Sequence, residues 1–155
     1  MKFSSKEDIE APIDAVFEMV SDFEKFERGA RKRGLKVRRT DGMESVATGM
    51  TWNAVFDFRG RNREIDLTLS RLDPPTHLSV AGRSQGVTSV FDLELLALSR
   101  QRTRLAVELE MKPQTIAARV LIQSLRLAKA RLTKRFKLRV AEYARHLEER
   151  HKRGS

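Results

Sequence analysis

Residues 114–150 read QTIAARVLIQSLRLAKARLTKRFKLRVAEYARHLEER, a run with no glycine and no proline. Such a run predicts one long helix over 114–150. Along it Leu121, Leu125, Ala128, Leu132, Phe136, Val140, Tyr143 and Leu147 step by 4, 3, 4, 4, 4, 3 and 4. That spacing stays near the helical repeat, so these side chains form one apolar stripe. A stripe of this length has to be buried, and the rest of the chain must supply the surface.

The middle of the chain supplies it. Met50, Trp52, Ala54, Phe56 and Phe58 alternate with Thr51, Asn53 and Asp57, the period-two pattern of a strand with one apolar side. Arg59-Gly60-Arg61-Asn62 predicts a turn. Ile65, Leu67 and Leu69 alternate with Glu64, Asp66, Thr68 and Ser70 before Asp73-Pro74-Pro75 interrupts the pattern. Leu78 and Val80 mark a short strand, and Gly82 to Gly86 a loop. Phe91, Leu93, Leu95 and Ala97, then Leu105, Val107, Leu109 and Met111, repeat the alternation around a turn at Ser99 to Arg102. Lys2 to Ile9 predicts a first strand. Ile13, Val16, Phe17 and Val20 predict a first helix within Ile9 to Val20, with Pro12 at its start. A second short helix through Phe26 and Ala30 stops at Gly34.

Antiparallel strands with one apolar face make a sheet wet on one side. Its dry side needs a cover that only the last helix is long enough to give. The expected architecture is α+β: a curved antiparallel sheet wrapped around a long C-terminal helix, with two short helices after the first strand, all in one domain spanning 1–155. A helix over 114–150 would span about 55 Å, whereas a compact chain of this size is only about 40 Å wide. The helix should therefore overhang or bend.

This order resembles the START-like superfamily, the helix-grip group of polyketide cyclase/dehydrase and lipid-transport proteins. The resemblance is carried by Ile9-Glu10-Ala11-Pro12-Ile13-Asp14-Ala15-Val16-Phe17, by Val20-Ser21-Asp22-Phe23 and by Gly49-x-x-Trp52. It implies a cavity between sheet and last helix that holds a hydrophobic small molecule: a lipid, a quinone or a polyketide-like compound. The family shares no catalytic residue, so none is carried over, and binding without chemical change is the expectation. The inferred lining is Trp52, Phe56, Phe58, Leu67, Leu69, Phe91, Leu93, Leu95 and Val107 from the strands, with Leu121 and Leu125 from the helix. The same side chains would equally build a filled core.

Charge points to a second surface. Residues 114–155 hold 12 Lys+Arg against 3 Asp+Glu, out of a net charge of +10 for the whole chain. Lys25 to Arg39 is a smaller basic patch. On the outer side of the last helix Arg119, Arg126, Arg131, Lys134 and Lys137 mix with Ile116, Val120, Leu127 and Leu138. A mixed basic and apolar face suits an anionic membrane surface or a second subunit in a homodimer; the alternative is that the N-terminal helices cover the apolar members. Nucleic acid is disfavoured, because only Phe136 and Tyr143 after Met111 could stack on bases.

Other chemistry is thinly represented. Cysteine is absent, which removes disulfides and thiolate sites. His77, His146 and His151 lack metal-ligand spacing, so neither a metal nor a cofactor is expected. Ser4, Ser5, Ser84 and Ser89 sit in no nucleophile motif. Asp57, Asp66, Asp92, Glu94, Glu108 and Glu110 fall on the wet face, as expected for cross-strand partners of arginine. A cyclase would need a polar group inside the cavity, and Asn53, Thr88 or Ser124 would serve only with the faces reversed. Arg139 falls within the apolar stripe, either snorkelling to water or pairing at the cavity mouth. No signal peptide or membrane span is visible, so cytoplasmic residence is expected, with peripheral membrane contact as an option.

Overall fold

The computed structural model describes residues 1–154. Strand β1 (Lys2–Ile9) leads into helices α1 (Ile13–Val20) and α2 (Phe23–Lys32). Strands β2 (Lys36–Arg39), β3 (Thr51–Phe58), β4 (Arg61–Asp73), β5 (His77–Ser84), β6 (Val87–Ser99) and β7 (Arg102–Pro113) follow. Helices α3 (Ile116–Arg126) and α4 (Lys129–Lys152) complete the chain. The strands form one antiparallel sheet in the order β1-β7-β6-β5-β4-β3-β2. Every neighbour except the β1–β7 pair is consecutive in sequence. The sheet curves around the C-terminal helices, so the helix-grip arrangement is the observed one.

The hairpin turns are tighter than the sequence pattern suggests. Phe58 pairs with Arg61 and Ser84 with Val87, leaving two-residue loops at Arg59-Gly60 and Gln85-Gly86. Both residues of each loop have positive φ: 53° and 73° in the first, 44° and 78° in the second. This is the type I′ geometry that matches strand twist. A left-handed Arg or Gln costs about 1–2 kcal/mol, so these hairpins are closed by their strands. The expected loop from Gly82 to Gly86 is therefore mostly strand, and Arg61-Asn62 belongs to β4. Strand β2 lies inside the basic patch, where no alternation announced it.

The long helix is interrupted. Between α3 and α4, Ala128 departs from helical geometry (φ −105°, ψ 16°), and its N–H donates to the Leu125 carbonyl at 3.0 Å. No breaker residue marks the site. The division follows the packing: α3 lies against β7 and α4 against β1, while Leu127 between them is 92% exposed. The buried stripe also shifts. Val140, Ala144 and Leu147 carry the contact of α4, and Tyr143 beside them is 39% exposed.

One end of the sheet is packed shut. Ile9, Val16, Leu69, Leu105 and Leu147 are at most 1% exposed and join α1, α2 and the C-terminal half of α4 to the sheet in one core. Polar ties fix this end. Arg150 Nη2 meets Asp22 Oδ2 at 3.2 Å, the Glu10 N–H donates to Glu148 Oε2 at 3.1 Å, and buried Thr103 Oγ1 donates to the Ala11 carbonyl at 2.8 Å.

Asp41 organises the segment between β2 and β3. Its carboxylate pairs with Arg39 and accepts the N–H groups of Thr51 and Met43 at 2.8 and 2.9 Å. The Arg39 hydrogen bond, then the backbone donors, hold its pKa far below the usual 3.8. A depressed folded-state pKa stabilises the native protein above the unfolded value and loses that effect as pH falls through the acid range. Urea midpoints measured from pH 5 to pH 2 should fall less steeply in Asp41→Asn than in the parent. Identical slopes would remove Asp41 from the acid response.

Candidate functional site

The other end of the sheet does not close. There the turn ends of β3–β4 and β5–β6, with the end of β7 and the start of β1, face α3 and the N-terminal half of α4. Between them lies a cleft of about 460 Å³. Its apolar wall includes Phe3, Phe56, Phe58, Ile65, Leu109 and Met111 from the sheet, and Leu121, Ile122, Leu125, Leu132 and Phe136 from the helices. Ring centroids of Phe3 and Phe136 lie 5.7 Å apart, joining β1 to α4 at the wall.

The position of α3 over the cleft is set at its first turn. The Gln114 N–H donates to the Gly86 carbonyl at 2.6 Å, and Thr115 caps the helix by accepting the Ala118 N–H at 3.1 Å. A Cβ at Gly86 would stand 2.6 Å from Thr115 Oγ1. Both its positive φ and this approach require glycine, so the β5–β6 turn seats directly on the cap. Gly82 does similar service within β5, where a Cβ would come within 2.5 Å of Ser89 Oγ and 3.1 Å of Ile65 Cδ1.

The expected lining divides in two. Phe56, Phe58, Leu121 and Leu125 do line the cleft. Trp52, Leu69, Leu93, Leu95 and Val107 are at most 5% exposed and belong to the closed core, with Leu67 and Phe91 packed against it. The first five are corrected from cavity wall to core, while Leu67 and Phe91 are partly buried against that core and are not among the residues lining the cleft. Leu93, Leu95 and Val107 lie nearer the strand ends covered by α1, α2 and the last turns of α4. Trp52, Leu67, Leu69 and Phe91 instead stand level across the sheet with Met111 or Leu109 of the cleft wall, so position along the strand does not separate those four from it. The Trp52 indole Nε1–H donates to the buried Glu27 carboxylate at 2.7 Å and its ring tilts against Phe23 at 5.4 Å. Its polar edge is satisfied by α2.

Several lining residues escape a reading of the sequence. Phe3, Ile122 and Met111 are apolar residues like many in the core and carry no separate signal. Arg63, Ser84, Gln85, Ser89, Arg135 and Arg139 also line the cleft. Of these, only Arg139 stands out in the sequence as a candidate for the cavity mouth, being the charged member of the apolar stripe. Among the described lining residues there is no Asp, Glu, His, Lys or Tyr. Asn53, Thr88 and Ser124 are engaged elsewhere: Asn53 with Asp66 at 3.0 Å, Thr88 with Gln114 at 3.1 Å, and Ser124 with the Leu121 carbonyl at 2.9 Å.

Arginine pairs across strands with Asp8, through Arg104 at 2.9 Å, but several of the carboxylates expected to do so have other partners. Glu108 meets Lys2 at 3.5 Å, and Glu94 meets His77 at 3.3 Å. Asp92 accepts from Ser79. Among the described residues no three His, Asp or Glu side chains are grouped to hold a metal ion, and no helix is long and apolar enough to cross a membrane.

The outer surface of α3 and α4 carries the basic residues. Arg119, Arg126, Arg131, Lys134 and Lys137 are all exposed. Ile116, Val120, Leu127 and Leu138 among them are 83%, 61%, 92% and 57% exposed. Helices α1 and α2 do not cover them.

No protein-family model and no curated protein matches this chain. Solved structures do. A protein from Thermus thermophilus is similar over 100% of this chain and 99% of its own, at TM-score 0.67 and 14% identity. A START superfamily protein from Mycobacterium smegmatis matches 86% of this chain and 95% of its own, at TM-score 0.57 and 15% identity. The Zhui aromatase/cyclase from a Streptomyces species matches 74% of this chain and 69% of its own, at TM-score 0.58 and 16% identity. At such identities the likeness is one of fold. With its seven-stranded antiparallel sheet, two short helices after the first strand and gripped C-terminal helix, together with these likenesses, this chain has the START-like helix-grip fold.

Proposed function

We propose that this protein binds and carries a hydrophobic small molecule, a lipid, quinone or polyketide-like compound, in the cleft between the sheet and α3–α4. The supporting observation is the cleft itself: about 460 Å³ walled mainly by Phe, Leu, Ile and Met. Ligand pockets are concave and mostly apolar, with few polar anchors. The lack of Asp, Glu, His, Lys and Tyr from its described lining supports binding without acid–base turnover. Titration with the neutral fluorophore N-phenyl-1-naphthylamine should give saturable binding. Neutral n-alcohols should then displace it about fourfold better per added methylene, from roughly 0.8 kcal/mol per buried CH₂, until the cleft is full. A fluorophore signal that never saturates defeats the reading.

The exposed face of α3 and α4 supports a docking role on an anionic membrane. Four apolar side chains stand in water between five cations, and a membrane interface takes up both kinds. In liposome flotation the protein should rise with anionic vesicles and stay behind with phosphatidylcholine alone. Charge reversal at Arg126, Lys134 and Lys137 should abolish flotation. Equal flotation with both vesicle types would remove the electrostatic part.

A further inference from the structure

The polar part of the cleft carries charge of one sign. Arg63, Arg135 and Arg139 line it, with no described carboxylate among the lining residues. None of the three is in an ion pair with a described residue.

Arg63 is positioned by neutral groups. Its Nη1 donates to Gln85 Oε1 at 2.5 Å and its Nε to the Phe58 carbonyl at 3.3 Å, with the guanidinium 5.5 Å from the Phe58 ring centroid. These contacts fix the fork in space and leave its charge uncompensated. Gln85 holds its end from a left-handed backbone, φ 44°. Asn or Asp would fit that turn position better, but neither side chain is as long. Strained backbone beside a ligand site is a recognised pattern. Arg135 and Arg139 stand one turn apart on α4, a like-charge pair that disfavours the helix unless something neutralises it. Arg63 is half-buried beside the apolar wall, where a lower local dielectric strengthens the attraction it exerts, while Arg135 and Arg139 are exposed and add their charge from the solvent side.

We infer that the ligand is an amphiphile whose oxyanion head, a carboxylate or a phosphate, is held by Arg63, Arg135 and Arg139 while its apolar body lies against Phe56, Leu109 and Leu125. Guanidinium forks bind such oxyanions in paired hydrogen bonds that an alcohol cannot match. The inference rests on the ligand-binding reading and adds the class of head group to it.

The test is competition against N-phenyl-1-naphthylamine with dodecanoate, dodecyl phosphate and dodecanol, all below their aggregation limits. At least one anion should bind tenfold or more tighter than dodecanol. The triple variant Arg63→Gln/Arg135→Gln/Arg139→Gln should lose that preference and keep its dodecanol affinity within about twofold. A control triple, Arg119→Gln/Arg126→Gln/Lys137→Gln, removes the same net charge from the outer face and should keep the preference. Saturable fluorophore binding without any anion preference overturns the head-group inference and leaves the cleft reading standing; so does equal loss in both triples, which assigns the effect to overall charge. Failure of the fluorophore to bind at all defeats the cleft reading first.

Discussion

Leu147→Ala should lower the free energy of unfolding by about 3–4 kcal/mol, read from urea denaturation of parent and variant. Leu147 is 1% exposed and lies in the shared core with Ile9, Val16 and Leu105. Removing its isobutyl group loses the transfer free energy of the buried carbons and leaves a cavity walled by rigid neighbours, which together account for losses of this size. The position matters as much as the chemistry. Leu147 is the last deeply buried residue of α4, and the nearby ties from Arg150 to Asp22 and from Glu148 to Glu10 depend on the helix lying flat there. Leu138→Ala, on the same helix but 57% exposed, should change stability by no more than about 0.5 kcal/mol. A loss below about 1 kcal/mol at Leu147, short of the range for a buried Leu→Ala change, would mean that the end of α4 does not clamp the sheet.

The architecture was legible because a half-wet sheet writes its pleat into the sequence. Thr51 to Phe58 and Leu105 to Met111 could be assigned to faces by alternation alone, and β3 and β7 place them so. What alternation cannot express is position along the strand. Leu93 and Leu109 occupy inward positions of the same hairpin, yet one is core and the other lines the cleft. The difference arises from which helix lies above each. That depends in turn on the interruption at Ala128, which no glycine or proline announces. Leu95 and Val107 share this cause with Leu93. Arg63 and Gln85 were missed for another reason. They meet across two hairpins, 22 positions apart, and nothing in the local pattern of either hairpin reports the other. The outward basic face, by contrast, needed only helical spacing and charge.

Leu125→Trp should weaken binding of N-phenyl-1-naphthylamine tenfold or more while leaving the urea midpoint unchanged or slightly raised. Leu125 is half-buried on α3 and lines the cleft, so an indole there has open space to enter and apolar neighbours to cover. It removes volume from the ligand and adds buried apolar area to the protein, two effects of opposite sign in two separate measurements. Leu95→Trp is the necessary contrast. Leu95 is 2% exposed within the closed core, where extra volume forces side chains off their rotamers at a cost of roughly 1–3 kcal/mol. The pair separates a cleft from a filled interior without knowledge of the natural ligand. If Leu125→Trp destabilises as much as Leu95→Trp, the space beside α3 is closed in solution, and with it goes the physical basis for carriage. If it is tolerated and the fluorophore still binds at parental strength, the fluorophore sits elsewhere, and the exposed apolar residues of α3 and α4 become the first place to look.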